Sequence, residues 1–203
     1  MLIKCSIITR FPYPFIKGIR RVKNCGKTLY ITFDDGPTAG NTEQILSILN
    51  RYGIKATFFC CGRNADENPE LLQHIFAEGH SVGYHSYSHK DILKTKSAEW
   101  LEDIEKVSSV SDRKLFRPPY GRIKISHYRK LRQKYDFVFW DVMSYDYRQD
   151  LTSDDIMNIL NKSVRNGSVI VFHDNKKSAA NTLKVLPLFI EKYIDKGFSF
   201  ATL

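Results

Sequence analysis

From residue 28 to the C-terminus the chain alternates two kinds of segment: short runs rich in β-branched and aromatic residues, and longer stretches with apolar residues at helical spacing. Repeated strand-helix units pack with parallel strands and helices laid on the sheet, so the pattern restricts the chain to an α/β architecture. The strand runs are TLYITF (28–33), ATFFC (56–60), SVGYH (81–85), LFR (115–117), FVFW (137–140), SVIVF (168–172) and FSFAT (198–202). Between them lie NTEQILSILNRY, with Ile45, Leu46 and Leu49 on one face, then PELLQHIFAEG, SAEWLEDIEKVSSV, ISHYRKLRQKY, TSDDIMNILNKSV and a long pattern from about 178 to 195. Such units either open into a doubly wound sheet or close into a barrel. In both, chemistry belongs at the C-terminal ends of the strands.

Helix boundaries agree with this reading. Asn41 or Thr42, Asn68-Pro69 and the run Thr152-Ser153-Asp154-Asp155 mark helix starts. Gly53, Gly79, Gly167 and Gly197 stand just after helices, where a left-handed residue ends the turn. No long linker, internal repeat or low-complexity tract divides residues 28–203, which read as one domain preceded by a basic segment, 1–27.

The chemically unusual residues collect at strand ends. Asp34 and Asp35 follow the first strand, His85 and His89 the third, Arg117 to Gly121 the fourth, Asp141 to Asp146 the fifth, and His173 and Asp174 the sixth. In HSYSH the two imidazoles stand at i and i+4, a spacing that predicts one side of a single helical turn. Two histidines and a carboxylate make a three-ligand site that suits zinc and leaves a position for water. Adjacent aspartates repel unless a cation sits with them, and a metal-bound carboxylate is a poor base. One of the pair is therefore expected to ligate and the other to stay free as the base.

Charge separates the two parts of the chain. Lys4, Arg10, Lys17, Arg20, Arg21, Lys23 and Lys27 precede the first acid, so most of the net +9 lies there. Interleaved with Phe11, Tyr13, Phe15 and Ile19, these cations either pack on the body or touch an anionic membrane surface or polymer. No motif supports nucleic-acid binding. With no apolar signal-peptide core and no membrane-length run, the sequence as written predicts a cytoplasmic chain, with cell-envelope association as the added expectation. Cys5, Cys25, Cys60 and Cys61 have no CxxC spacing and read as reduced structural thiols.

TFDDGP (32–37), HSYSH (85–89), RPPYG (117–121), WDVMSYD (140–146) and VIVFHD (169–174), in that order, resemble the polysaccharide deacetylase family, the NodB homology domain of carbohydrate esterase family 4. The resemblance covers about residues 28–203. It implies a distorted (β/α)7 barrel and a divalent metal, most often zinc. By position it makes Asp34 the general base, Asp35, His85 and His89 the metal ligands, and His173 the general acid. Arg117 orients Asp34, the backbone N–H of Tyr120 helps hold the oxyanion, and Pro118, Pro119, Trp140 and Val171 shape the substrate pocket. Met143 stands where many members carry an aspartate that pairs with the acid, and Tyr147 where tryptophan is common. Asp141 or Asp146 is expected to take over that pairing.

The implied activity is removal of N-acetyl groups from a GlcNAc-containing poly- or oligosaccharide, chitin- or peptidoglycan-like, releasing acetate. O-acetyl xylan or a small amide would suit the same chemistry. A carbohydrate-binding homologue without turnover is the reading from a different class.

Overall fold

In a computed structural model that describes residues 16–203, β1 (Thr28–Asp34) lies at the centre of the sheet. One edge pairs with β7 (Val169–His173) from Tyr30 to Asp34. The other pairs with β2 (Thr57–Cys60) over Thr32–Asp34 and with β8 (Ser199–Phe200) over Thr28–Leu29. β3 (Ser81–Tyr84), β4 (Leu115–Phe116) and β5 (Asp136–Phe137) extend the sheet beyond β2, and β6 (Val142–Met143) extends it beyond β7. Every ladder is parallel. β5 and β6 do not pair with each other, so the curled sheet is a partial barrel.

Alternation along the strands sorts side chains between two cores. Leu29, Ile31 and Phe33 of β1 join Ile45, Leu46 and Leu49 of α1 (Thr42–Arg51) and Val185, Leu186, Phe189 and Ile190 of α7 (Ala179–Asp195). Each such side chain contributes about 1.5–3 kcal/mol on burial. Tyr30 instead faces an inner cluster with Phe59, Val138, Trp140, Val169 and Val171. Asp34 and His173 lie on this inner face by the same alternation, and they are register partners at the C-terminal ends of β1 and β7.

The α/β expectation holds, with corrections in detail. Among the described residues there are eight strands, not seven: β6 forms inside WDVMSYD, where only one residue pair, Met143 with Val171, follows Val142 with Ile170. A two-residue strand carries too little pattern to be seen in sequence. The expected FVFW strand pairs as a ladder only at Asp136–Phe137. A short helix, α2 (Gly62–Glu67), precedes α3 (Pro69–Ala77). Thr152 and Asp155 form a reciprocal capping box on α6 (Ser153–Ser163). Neither Asn41 nor Asn68 caps through its side chain; Thr42 Oγ1 instead accepts from Thr38 N and donates to Asp174 Oδ2.

Lys4, Cys5, Arg10, Phe11, Tyr13 and Phe15 lie outside the described residues. The rest of the basic segment crosses from one flank of the sheet to the other: Ile19 pairs with the strand at Phe137–Phe139, and Val22 N donates to Gly167 O. Gly167 has φ +78°, and a Cβ there would stand 1.8 Å from Val22 O, so only glycine fits this crossing. The Arg20 guanidinium lies 4.7 Å over the Phe139 ring. Among the described residues no helix is long and apolar enough to cross a membrane. Cys25, Cys60 and Cys61 are free thiols, and burial pushes the Cys60 and Cys61 thiols up, which keeps them protonated.

Candidate active site

The chain turns sharply after β1 because Asp35 adopts φ +81°. Asp34 is thereby left on the inner face while the next carboxylate swings toward β3. Arg117, fully buried at the end of β4, donates to Asp34 Oδ1 at 2.5 Å, to Thr32 Oγ1 at 2.8 Å and to the Phe139 carbonyl at 3.0 Å. Its guanidinium also stacks 4.1 Å over Phe59. A buried carboxylate needs such a partner, and one so anchored fixes its orientation. Asp34 Oδ2 is left facing the His85 imidazole, 3.9 Å from Nε2.

His85 and His89 converge, but not on a helical turn as the spacing predicts. Residues 85–89 form a loop in which Ser86 (φ +63°) and His89 (φ +56°) are left-handed. The first amides of α2 hold it, Gly62 N donating to Ser86 O and Arg63 N to Tyr87 O. Asp103 of α4 (Ser97–Glu105) accepts from Ser88 N at 3.1 Å and from the Ser88 hydroxyl. The two rings end 5.0 Å apart.

Asp35, His85 and His89 present ligand atoms within 4.8 Å of one another. Asp35 Oδ1 is buried without a hydrogen-bond partner and lies 3.5 Å from His85 Nε2 and 3.2 Å from His89 Nε2. His85 Nδ1 lies 2.6 Å from the Arg117 carbonyl, which can only accept, so Nδ1 carries a proton and Nε2 is the nitrogen turned toward Asp35. Burial, then the neighbouring His85, holds His89 below the usual histidine range. Burial alone would raise the Asp35 carboxyl, but His85, His89 and His173 outweigh it and hold Asp35 well below the carboxylate range. An orphaned carboxylate oxygen facing two imidazole nitrogens has the donor set of a divalent-cation site.

Across the inner face, His173 Nδ1 meets Asp146 Oδ1 at 2.7 Å, and His173 N donates to Asp146 Oδ2 at 2.7 Å. The Thr182 hydroxyl adds a third bond to this fully buried carboxylate. Burial opposes the charged imidazole, but Asp146 first, then Asp35 and Asp34, push His173 up to about 9. The ring is thus protonated at neutral pH, and Met143 leaves it no less supported. Asp141 does not take part: its carboxylate pairs with Arg165 at 2.7 Å and Ser168 Oγ at 2.8 Å at the start of β7, the opposite end from His173.

These groups open on a cavity of about 560 Å³, lined also by Tyr120, Arg122, Trp140, Met143, Tyr145, Tyr147, Asn175 and Lys177. Pro118 and Pro119 lie buried beneath the rim, and Val171 is fully buried one layer below His173. Its register partner Met143 reaches the cavity in its place. Tyr120 (φ +57°) and Tyr145 (φ +63°) are left-handed, so five of the six described non-glycine residues with positive φ belong to this site. Strained backbone persists where surrounding structure over-determines it, and it clusters at functional sites. Sequence reasoning missed Asn64, Asn175 and Thr182, polar residues outside the motifs whose contacts to Asp35 and Asp146 arise only when the chain folds.

A parallel α/β sheet with a clamped carboxylate, a candidate metal-ligand triad and a carboxylate-paired imidazole at one rim matches the build of a metallohydrolase. The chain belongs to the polysaccharide deacetylase family, whose model matches residues 21–139. It is 33% identical over 181 residues to a peptidoglycan-N-acetylglucosamine deacetylase of Bacillus cereus, an alignment covering 85% of this chain and 66% of that protein. It is 31% identical to a peptidoglycan-N-acetylmuramic acid deacetylase of Bacillus subtilis, over 87% of this chain and 38% of the relative. The chain thus spans less than two thirds of the length of these relatives. Among solved structures, a peptidoglycan N-acetylglucosamine deacetylase bound to a naphthyl N-hydroxybenzamide superposes with a TM-score of 0.82 at 30% identity, covering 92% of this chain and 90% of that one.

Proposed function

We propose that this protein is a zinc-dependent deacetylase that removes N-acetyl groups from a GlcNAc-containing glycan of the peptidoglycan type, releasing acetate. The observation that carries the reading is the unequal treatment of two adjacent aspartates. Asp35 faces two imidazoles with an orphaned oxygen, whereas Asp34 is fixed by Arg117 and keeps Oδ2 directed at the same site. A protein that only bound sugar would have no use for a second oriented carboxylate. The substrate class is that of the relatives, which deacetylate peptidoglycan N-acetylglucosamine or N-acetylmuramic acid.

A divalent cation held by Asp35, His85 and His89, zinc in this reading, supplies Lewis-acid polarisation of the acetamide carbonyl and makes water in the site more acidic. Asp34 Oδ2 accepts the proton of the attacking water as its oxygen bonds to the carbonyl carbon. The backbone N–H of Tyr120 donates to the oxygen where negative charge develops. An amine leaves badly as an anion, so His173, held as imidazolium by Asp146, gives its Nε2 proton to the amide nitrogen while the C–N bond breaks. Trp140, Met143, Tyr145 and Tyr147 supply the apolar surface against which the acetyl group and sugar ring lie. Release of acetate from an N-acetylated glycan by the purified chain, zinc-loaded and zinc-stripped, tests the reading.

A further inference from the structure

Asn175 takes no part in the chemistry above, yet it touches the ligand carboxylate directly. We infer that Asn175 is a positioning residue for the cation site: its amide occupies Asp35 Oδ2, so that Asp35 presents Oδ1 alone to the cation. This rests on the metal-centred reading of the site.

Asn175 Nδ2 donates to Asp35 Oδ2 at 2.6 Å. The other end of the amide settles its orientation, because Oδ1 accepts from Ser178 N at 2.9 Å, and a backbone N–H can only donate. The Asn175 carbonyl accepts from Ser178 N and Ala179 N, each at 3.2 Å, and from Asn41 Nδ2 at 3.3 Å, which seats the residue rigidly before α7. On the far side Asn64 Nδ2 donates to the Asp35 carbonyl at 2.6 Å. Two amides, one from α2 and one from the bend before α7, thus grip Asp35, one on its backbone and one on its side chain, at φ +81°. Oδ1 meanwhile stays unpartnered between the histidine nitrogens.

The consequence is chemical. A free carboxylate can offer a cation both oxygens, but a charge-assisted N–H bond on one makes that oxygen a poorer donor and fixes the plane of the group. A one-oxygen ligand leaves coordination room for water and for the substrate carbonyl.

Asn175→Ser retains a hydroxyl that can accept from Ser178 N but is too short to reach Asp35, whereas Asn175→Ala loses both bonds. Zinc affinity of the full purified chain is measured by competition with a chromogenic chelator, beside the melting temperature of each zinc-free protein. Both variants are expected to bind zinc about ten- to a hundred-fold more weakly, with Asn175→Ser keeping the wild-type zinc-free melting temperature. Wild-type affinity in Asn175→Ser would overturn the inference and leave the metal-centred reading intact. So would weaker binding in Asn175→Ser with a melting temperature lowered as far as in Asn175→Ala, since the contact would then be merely structural. A wild-type chain that binds no zinc would remove both.

Discussion

Asp34 and Asp35 are covalent neighbours with opposite assignments, and the difference comes from their partners, not from residue type. Arg117 is the partner that matters most for Asp34. Replacing it by methionine leaves a buried carboxylate without its cation, and the expected cost is about 3–5 kcal/mol in urea unfolding. His173 shows the same logic with the opposite sign. Its pKa is raised from 6.5 to about 9, so the proton that the proposed mechanism gives to the leaving amine is present below that value and is lost as pH rises through it. Asp146→Asn removes the largest raising influence, and the alkaline limb of kcat/KM is expected to move to lower pH. Asp141→Asn, on the Arg165 pair, is expected to leave that limb where it is; a shift equal to that of Asp146→Asn would refute the assignment.

Elements differ in how much they owe to local sequence. The capping box of α6 is purely local, since Thr152 and Asp155 satisfy each other's backbone amides. Thr152→Ala is expected to lower stability by about 1 kcal/mol while leaving the acetate-releasing rate unchanged, a split that paired unfolding and rate measurements would reveal. β1, β7 and α7 were legible for the same reason: their apolar periodicity is long enough to declare a period. The two-residue β6 has no period to read. The HSYSH loop misled through its i, i+4 spacing, because its convergence comes from left-handed Ser86 and His89 and from distant Asp103, none of which a spacing rule contains. The candidate residues could still be picked out because they cluster after strand ends, and the resemblance of their motifs to the deacetylase family supplied the roles of ligand, base and acid. Their supports could not: Thr182 reaches Asp146 and Asn64 reaches Asp35 across the fold.

At the scale of the whole molecule, the parallel sheet brings residues 34, 85, 117 and 173 to one rim, and the candidate cation site joins the β1 end to the loop after β3. A ligand that binds only the folded chain stabilises it by mass action, about 2.7 kcal/mol at a hundred times Kd. For a domain of this size the melting temperature of the zinc-free protein is expected to rise by about 5–10 °C on zinc addition, and Asp35→Ala should abolish the rise. The most direct test is acetate release from N-acetyl chito-oligosaccharides and N-acetylated peptidoglycan fragments by zinc-loaded protein, beside a chelated sample and Asp34→Asn. Release from the zinc-loaded wild type is expected, with loss on chelation and a fall of about 10²–10⁴-fold in Asp34→Asn despite retained zinc. Release that survives chelation or Asp34→Asn, or zinc-bound protein that releases no acetate from either glycan, would contradict it.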